Sequence, residues 1–334
     1  MDRSPSRKLT ITDIAKRARV SRATVSLVLR ESPLVADETR ARVQKIVASL
    51  GYVRNRGAAN LRSRNSQTIG LILSDLANPF YAELIAGIES VMDENGRIAF
   101  IVNTEEDPVK QDRLILRPRE QNVEGIILSA AEGTDPGLID RLRQWRLPCV
   151  QTMRRLNGRL FDYVGPAIKR GVEMAVDHLA ERGHRSIAYI GASRRTSPTR
   201  ERLAGFSSAM SKRGLRQDLI VRCPPTREEG AHAIRELLAG PTPPTAAVCY
   251  NDVCAFGVVL GFMEAGGRPG ADFGVVGFDN IADAAFVRPA LTTVAIDPRR
   301  LGQESARLLL RRIASPDASP ERLVVPSHLI VRET

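Results

Sequence analysis

Cysteine is scarce in this 334-residue chain, and the four present, Cys149, Cys223, Cys249 and Cys254, show no C-x-x-C spacing. They lie mostly in apolar runs, so neither a disulfide framework nor a zinc site is expected and the thiols are read as buried. Histidine is equally sparse: His178, His184, His232 and His328 cluster with nothing catalytic. No Ser/His/Asp order, metal cluster or carboxylate pair recommends an enzyme. No strand-like run is followed by G-x-G-x-x-G, which argues against a dinucleotide-dependent dehydrogenase. No stretch reaches the ~18 apolar residues of a membrane span. The opening MDRSPSRKLT carries charge with no apolar run behind it, so no secretory signal is expected. A cytoplasmic protein without catalytic residues, cofactor or metal is the expectation. There is no repeat with a period of 20–50 residues and no low-complexity tract beyond the Pro-rich turn at 241–244.

What is present is length, a core and an uneven charge. At roughly 100–200 residues per domain the chain makes two or three domains, and 43% hydrophobic content is ample for their cores. Residues 1–66 hold 15 Lys+Arg against 5 Asp+Glu, while the whole chain holds 49 against 38. The other 268 residues are therefore nearly neutral, at 34 against 33. Positive charge confined to a short N-terminal module suits a phosphate backbone and the release of its counterions.

Within that module, ITDIAKRARVSRATVSLVL (11–29) carries two apolar stripes at helical spacing. Ile11, Ile14, Ala15 and Ala18 form one, Val20-Ser21 interrupts it, and Ala23, Val25, Val28 and Leu29 form the other. This is a helix-turn-helix pattern, with Ser21 placed to cap the second helix. Arg22, Thr24 and Ser26 are then the polar groups on its first turns, where a recognition helix meets bases and phosphates. A bare pattern of this kind equally suits a helical hairpin that only packs on its neighbour, and the flanking charge favours DNA. After a turn at Ser32-Pro33, a third helix is expected from Val35 to Leu50, with Val43, Ile46, Val47 and Leu50 on its inner face and Gly51 ending it. Residues 52–68 are polar and basic, and composition alone makes them a linker.

From Thr68 onward short β-rich runs alternate with amphipathic helices. Strands are expected at 69–73, 98–102, 125–129, 148–152, 186–191, 246–250 and 273–278, and helices at 79–95, 168–182, 200–213, 227–239, 252–266 and 298–313. Such alternation predicts an α/β core of parallel sheets covered on both faces, which binds ligands beyond the carboxyl ends of its strands. Asp75, Asn78, Phe80, Asn103, Ser129, Arg154, Asn251, Asp252 and Asp279 fall there. Together they suit a hydrogen-bonding pocket for a small polar ligand, although loops and helix caps would account for any one of them.

Several segments carry a family resemblance. They are TITDIA…VSRATVS (10–26), GYVRN…AANLR, TIGLILSDLANPFYAEL (68–84), GHRSIAYIG (183–191), RERLAGF (200–206), VCYNDVCAFG (248–257), VVGFDNI (275–281) and LTTVAIDPRRLG (291–302). In this order they resemble the lactose/galactose repressor (LacI/GalR) family of bacterial transcription regulators along essentially the whole chain. The resemblance implies a helix-turn-helix headpiece at 1–51, a hinge helix at 52–66 and a periplasmic-binding-protein-like core at 67–334. The core would have two lobes joined by three crossovers, one at 67–166 plus 297–325 and the other at 167–296 plus 326–334. It also implies a repressor whose affinity for a near-palindromic double-stranded operator is switched by a small-molecule effector, a sugar or sugar derivative, bound between the lobes.

By the same resemblance Thr10, Ser21, Arg22, Ala23, Thr24, Ser26 and Arg30 serve DNA binding. Asn55, Ala58 and Leu61 belong to the hinge, where Leu61 would wedge into the minor groove. Asp75, Asn78, Phe80, Ser129, Arg154, Arg200, Arg202, Asn251 and Asp279 are the implied effector contacts. The chain departs from the family pattern at several points. Arg54 replaces a usual Pro, Leu27 a usual Arg and Arg30 a usual Asn. Met153, Ala167-Ile168 and Pro224-Pro225 replace polar or aromatic residues, which predicts a pocket less polar on one wall. Pro118 interrupts a helix that relatives run unbroken. The chain stops directly after its last expected strand, with no leucine-rich helix beyond, so a homodimer is expected. An exported solute-binding protein would share the core but not the basic headpiece.

Overall fold

The computed structural model describes residues 9–52, 66–156, 160–193 and 195–334. By contacts along the chain it divides into two units, Met1–Ser66 and Gln67–Thr334.

In the first unit, α1 (Ile11–Ala18), α2 (Arg22–Val28) and α3 (Asp37–Ser49) enclose a small core of Ile14, Ala15, Ala18, Val25, Val28, Val35 and Val43. The backbone N–H of Thr10 donates to the Asp13 carboxylate at 2.9 Å, which satisfies a donor at the start of α1. Arg19, in the left-handed region at φ 53°, ends that helix. Ser21 Oγ then accepts from Thr24 N at 3.0 Å and starts α2. The third helix starts two residues later than the periodicity predicts, because Val35 is packed into the core ahead of it. The Arg40 guanidinium donates to the carbonyls of Ser32 (2.8 Å) and Val35 (3.1 Å), fixing the turn between α2 and α3.

The second unit holds two six-stranded sheets. In chain order its elements are β1 (Thr68–Leu73), α4 (Phe80–Glu94), β2 (Ile98–Asn103), α5 (Pro108–Leu114), α6 (Leu116–Glu120), β3 (Ile126–Leu128), α7 (Gly137–Gln144), β4 (Cys149–Thr152) and β5 (Asp162–Pro166). There follow α8 (Ile168–Glu181), β6 (Ile187–Ile190), α9 (Ser197–Lys212), β7 (Ile220–Val221), α10 (Arg227–Ala239), β8 (Ala246–Cys249), α11 (Asp252–Glu264), β9 (Gly274–Asp279), α12 (Asp283–Phe286) and β10 (Thr292–Ala295). Last come α13 (Pro298–Ala314), β11 (Arg322–Val325) and β12 (His328–Ile330).

The first sheet runs β11-β5-β4-β3-β1-β2, all parallel, and the second runs β12-β10-β9-β8-β6-β7, parallel except for β12 on β10. The chain passes between the sheets three times: after β5, after β10 and after β11. Central strands such as β8 and β9 are buried at every position, as parallel strands covered on both faces must be, and so they read as continuous apolar runs.

Two features of helix packing come directly from sequence. α4 lies against α13 so closely that a Cβ on Gly87 would collide with the Arg299 carbonyl, and one on Gly302 with that of Leu84. The helix after β2 breaks at Ile115, three residues before Pro118. Pro118 has no N–H to offer the Leu114 carbonyl, so the hydrogen-bond ladder lapses at that point.

Candidate functional site

The helix-turn-helix presents a polar face. Val25 and Val28 point into the core while Arg22, Ala23 and Arg30 are exposed and Thr24 and Ser26 are half-buried. The Ser21 and Thr24 hydroxyls lie 2.9 Å apart, so the cap also positions Thr24 at the N-terminal turn. Thr10 is exposed at the start of α1. Asn55, Ala58 and Leu61 lie outside the described residues.

In the second unit a cavity opens where the carboxyl ends of both sheets meet. Asp75 and Asn78 follow β1, and Asn78 Oδ1 accepts from Phe80 N at 3.0 Å, which brings Phe80 in at the start of α4. Arg154 follows β4, Asn251 follows β8 and caps α11 through Cys254 N at 2.9 Å, and Asp279 ends β9. Arg202 enters from the second turn of α9. All seven line the cavity.

Two expected contacts do not. Ser129 is fully buried behind Tyr81, whose hydroxyl lies 3.2 Å from Ser129 Oγ and 3.1 Å from Ser74 Oγ. Arg200 is exposed on α9. Two positions along a helix is about 200° of rotation, so Arg200 and Arg202 cannot face the same cavity. The expected less polar wall is also redistributed. Met153 and Pro225 do line the cavity, whereas Ala167 and Ile168 line a separate depression beside Lys169, Arg170 and Arg322. Tyr81 and Tyr250, which sequence reasoning did not single out, complete the cavity wall. Each adjoins a residue that was singled out, Phe80 and Asn251, and that adjacency was the available signal.

The charges in the cavity are unequal. Arg154 is 6% exposed, and its guanidinium meets both carboxylate oxygens of Glu106 at 2.6 Å and the Ala130 carbonyl at 2.8 Å. Burial is the largest single influence and opposes its charge, but the hydrogen bonds to Glu106 together with the fields of Tyr81, Glu106 and Tyr250 outweigh it and hold the pKa above the ordinary arginine value. Arg202 is 3% exposed, donates through Nε to the Tyr250 carbonyl at 3.0 Å, and lies over the Tyr250 and Phe278 rings at 4.2 and 4.4 Å. Asp279 is pushed up to about 8, by burial first and by Asp252 second, with Arg202 and Asn78 pulling the other way. Asp252 is raised to about 6 by burial, against hydrogen bonds from the Thr293 hydroxyl and the Ile281 N–H. Met153 (φ 60°), Asp279 (φ 119°) and Asn280 (φ 57°) all hold positive φ. Non-glycine residues seldom adopt it, so the rim is backbone held in place by its surroundings.

Contacts between the two lobes surround the cavity. Asn78 Nδ2 donates to Asp279 Oδ2 at 3.4 Å, the Arg155 N–H donates to Ser197 Oγ at 2.8 Å, and the Arg155 guanidinium pairs with Glu201. Among the described residues no group of three or more His, Cys, Asp or Glu could hold a metal ion. Nor is any described helix long and apolar enough to cross a membrane. The arrangement can bind and orient a polar molecule between the two sheets, and among the described residues that line it none pairs a nucleophile with a base.

The profile of bacterial regulatory proteins of the lacI family matches residues 10–55, and that of the periplasmic binding protein-like domain matches residues 176–334. The maltose regulon regulatory protein MalI of Escherichia coli (strain K12) is 31% identical over 337 residues, covering 97% of this chain and 98% of that protein. The HTH-type transcriptional repressor PurR of Erwinia tasmaniensis is 33% identical, covering 97% and 96%. Among solved structures, the lac repressor dimer bound to operator and the anti-inducer ONPF superposes with a TM-score of 0.88 at 26% identity, covering 98% of this chain and 99% of that one. A complex of the transcriptional regulator CelR with cellobiose gives 0.75 at 30% identity, covering 97% and 99%. Similarity that runs from the helix-turn-helix through both sheets, at this identity and coverage, has one meaning: the chain belongs to the lacI family of bacterial regulatory proteins and is a transcriptional regulator, not an enzyme.

Proposed function

We propose that the chain is a cytoplasmic repressor that binds a near-palindromic operator as a homodimer and is switched by a small polar effector held in the cavity between the lobes. In this reading residues 1–51 are the DNA-binding headpiece, 52–66 the hinge and 67–334 the core, whose lobes are 67–166 with 297–325 and 167–296 with 326–334. Arg22, Ala23, Thr24, Ser26 and Arg30 face the DNA, with Thr10 and Ser21 setting the helices and Asn55, Ala58 and Leu61 serving the hinge. Asp75, Asn78, Phe80, Arg154, Arg202, Asn251 and Asp279 meet the effector.

The observation that carries the switch is the cavity itself, lined from both lobes and bridged by Asn78 and Asp279. A ligand there touches both lobes only when they are closed, so it binds one lobe arrangement better than another, and that difference is what an allosteric effector requires. The relatives support a sugar or sugar-like effector, since the CelR structure contains cellobiose.

The test is selection of an operator from random DNA by the full chain, followed by titration at rising salt. Specific binding that weakens steeply with salt is expected, because the excess positive charge lies in residues 1–66. Failure to enrich any inverted-repeat sequence would refute the reading.

A further inference from the structure

The turn that delivers Asp279 to the cavity is strained, and it is held from outside the cavity. Asp279 (φ 119°) and Asn280 (φ 57°) are consecutive non-glycine residues with positive φ. Asparagine enters the left-handed region more readily than most residues, but Asp279 lies beyond that well, which ends at about +70°. Such a pair persists only where the surrounding structure over-determines it.

Three contacts reach this turn. From the start of α11, Asp252 Oδ2 accepts from the Ile281 N–H at 2.8 Å. Across the cavity, Asn78 Nδ2 donates to Asp279 Oδ2 at 3.4 Å, too long to hold a backbone. The third comes from the tail after β12, where the Arg332 guanidinium donates to Asn280 Oδ1 at 2.7 Å and to the Leu291 carbonyl at 2.7 Å. A hydrogen bond from a charged donor is about twice as strong as a neutral one. Arg332 is itself anchored, since its N–H donates to Thr292 Oγ1 at 3.0 Å. The residues after it are stitched to the same elements: Glu333 Oε2 accepts from Ala290 N at 2.6 Å, and Thr334 Oγ1 donates to the Val275 carbonyl at 2.7 Å. Neither Arg332 nor Asn280 is among the residues that line the cavity.

We propose that Arg332 is a positioning residue for effector binding: by gripping the Asn280 side chain it keeps the 279–280 turn at positive φ and Asp279 in the cavity. This rests on the effector reading above and adds to it a residue that never touches the ligand. Without the guanidinium the turn relaxes toward negative φ, Asp279 leaves its place opposite Asn78, and only a fraction of molecules present a complete cavity. Apparent affinity falls by that fraction. A residue that only stabilised the core would weaken folding and leave the affinity of the folded molecules unchanged.

The experiment uses the full chain and measures dissociation constants of cellobiose, maltose, D-galactose, D-ribose and D-glucitol by calorimetry, at a temperature below the melting transition of every variant. With the probe that binds wild type most tightly, Arg332→Met is expected to bind about tenfold more weakly, the equilibrium cost of a non-glycine residue in the left-handed region. Adding Asn280→Gly to Arg332→Met is expected to recover about threefold or more, because glycine takes positive φ without being held. A merely structural Arg332 predicts no such rescue. Unchanged affinity in Arg332→Met, or a double variant that binds no better than the single one, would overturn the assignment and leave the effector reading standing. If Arg332→Met does not fold, Asn280→Ala and Asn280→Gly decide. Both lose the acceptor, and the alanine variant is expected to bind about tenfold more weakly than the glycine variant; equal affinities would overturn the assignment. No binding of any probe to wild type would remove the effector reading and this assignment with it.

Discussion

Asn78 and Asp279, 201 positions apart in sequence, meet across the cavity, the Asn78 amide donating to the Asp279 carboxyl at 3.4 Å. One follows the first strand of the first sheet and the other ends a central strand of the second. The contact is long for a hydrogen bond. It therefore joins residues that follow the two sheets without locking them together.

Asp279 makes stability depend on pH. Its folded pKa of about 8 lies above that of an unfolded aspartate, so the folded state binds the extra proton. The associated stability is fully present below about pH 4 and is lost as pH rises through about 8. Asp279→Asn, a neutral mimic of the protonated acid, should flatten this slope: its melting temperature gains on wild type between pH 6 and 9. Parallel curves for the two proteins over that range would contradict the assignment.

Glu106→Gln tests the other charge of the cavity. It leaves the buried Arg154 guanidinium without its anion, and loss of one partner of a buried pair costs roughly 3–5 kcal/mol. Urea denaturation should register most of that, and adding Arg154→Met to Glu106→Gln should recover part of it. A single variant within about 0.5 kcal/mol of wild type would show that water reaches the pair freely.

In the headpiece, Ser21→Ala removes the Oγ that accepts from Thr24 N. A lost N-cap costs about 1 kcal/mol. Hydrogen exchange across α2 should accelerate and operator affinity should fall, while core amides keep their protection. Unchanged exchange in α2 would mean that the cap contributes nothing in solution.

Leu61→Ala should weaken specific operator binding by roughly 1–3 kcal/mol, the loss expected when an intercalating wedge is trimmed. Binding to random DNA, driven by phosphates, should barely change. Equal losses on both DNAs would make Leu61 a packing residue only.

The elements legible in sequence were those with strong periodicity or uninterrupted apolarity. Ile14, Ala18, Val25 and Val28 at helical spacing yield α1 and α2, and Ile69 to Leu73 yields β1. The strands that escaped are short: β5 (DYVGP) contains Gly and Pro, β7 is two residues long, and β10 (TTVA) and β11 (RLVV) run for only four residues each. The helices of 4–8 residues after β2, β3 and β9 escaped too, being shorter than the window in which a 3.6-residue period becomes visible.

By itself the sequence determined the basic helix-turn-helix, its Ser21 cap, the alternating α/β core and the polar residues that follow the strand ends, because each depends on neighbours within a few turns of chain. Tertiary structure decided which of those residues share a cavity and what charge each presents there. Glu106 and Arg154 are 48 positions apart, and Arg202 and Tyr250 likewise 48. Only folding could bind one arginine to a carboxylate and leave the other facing the cavity between two rings, since charge compensation depends on distance in space and dielectric surroundings, and neither is written in sequence spacing.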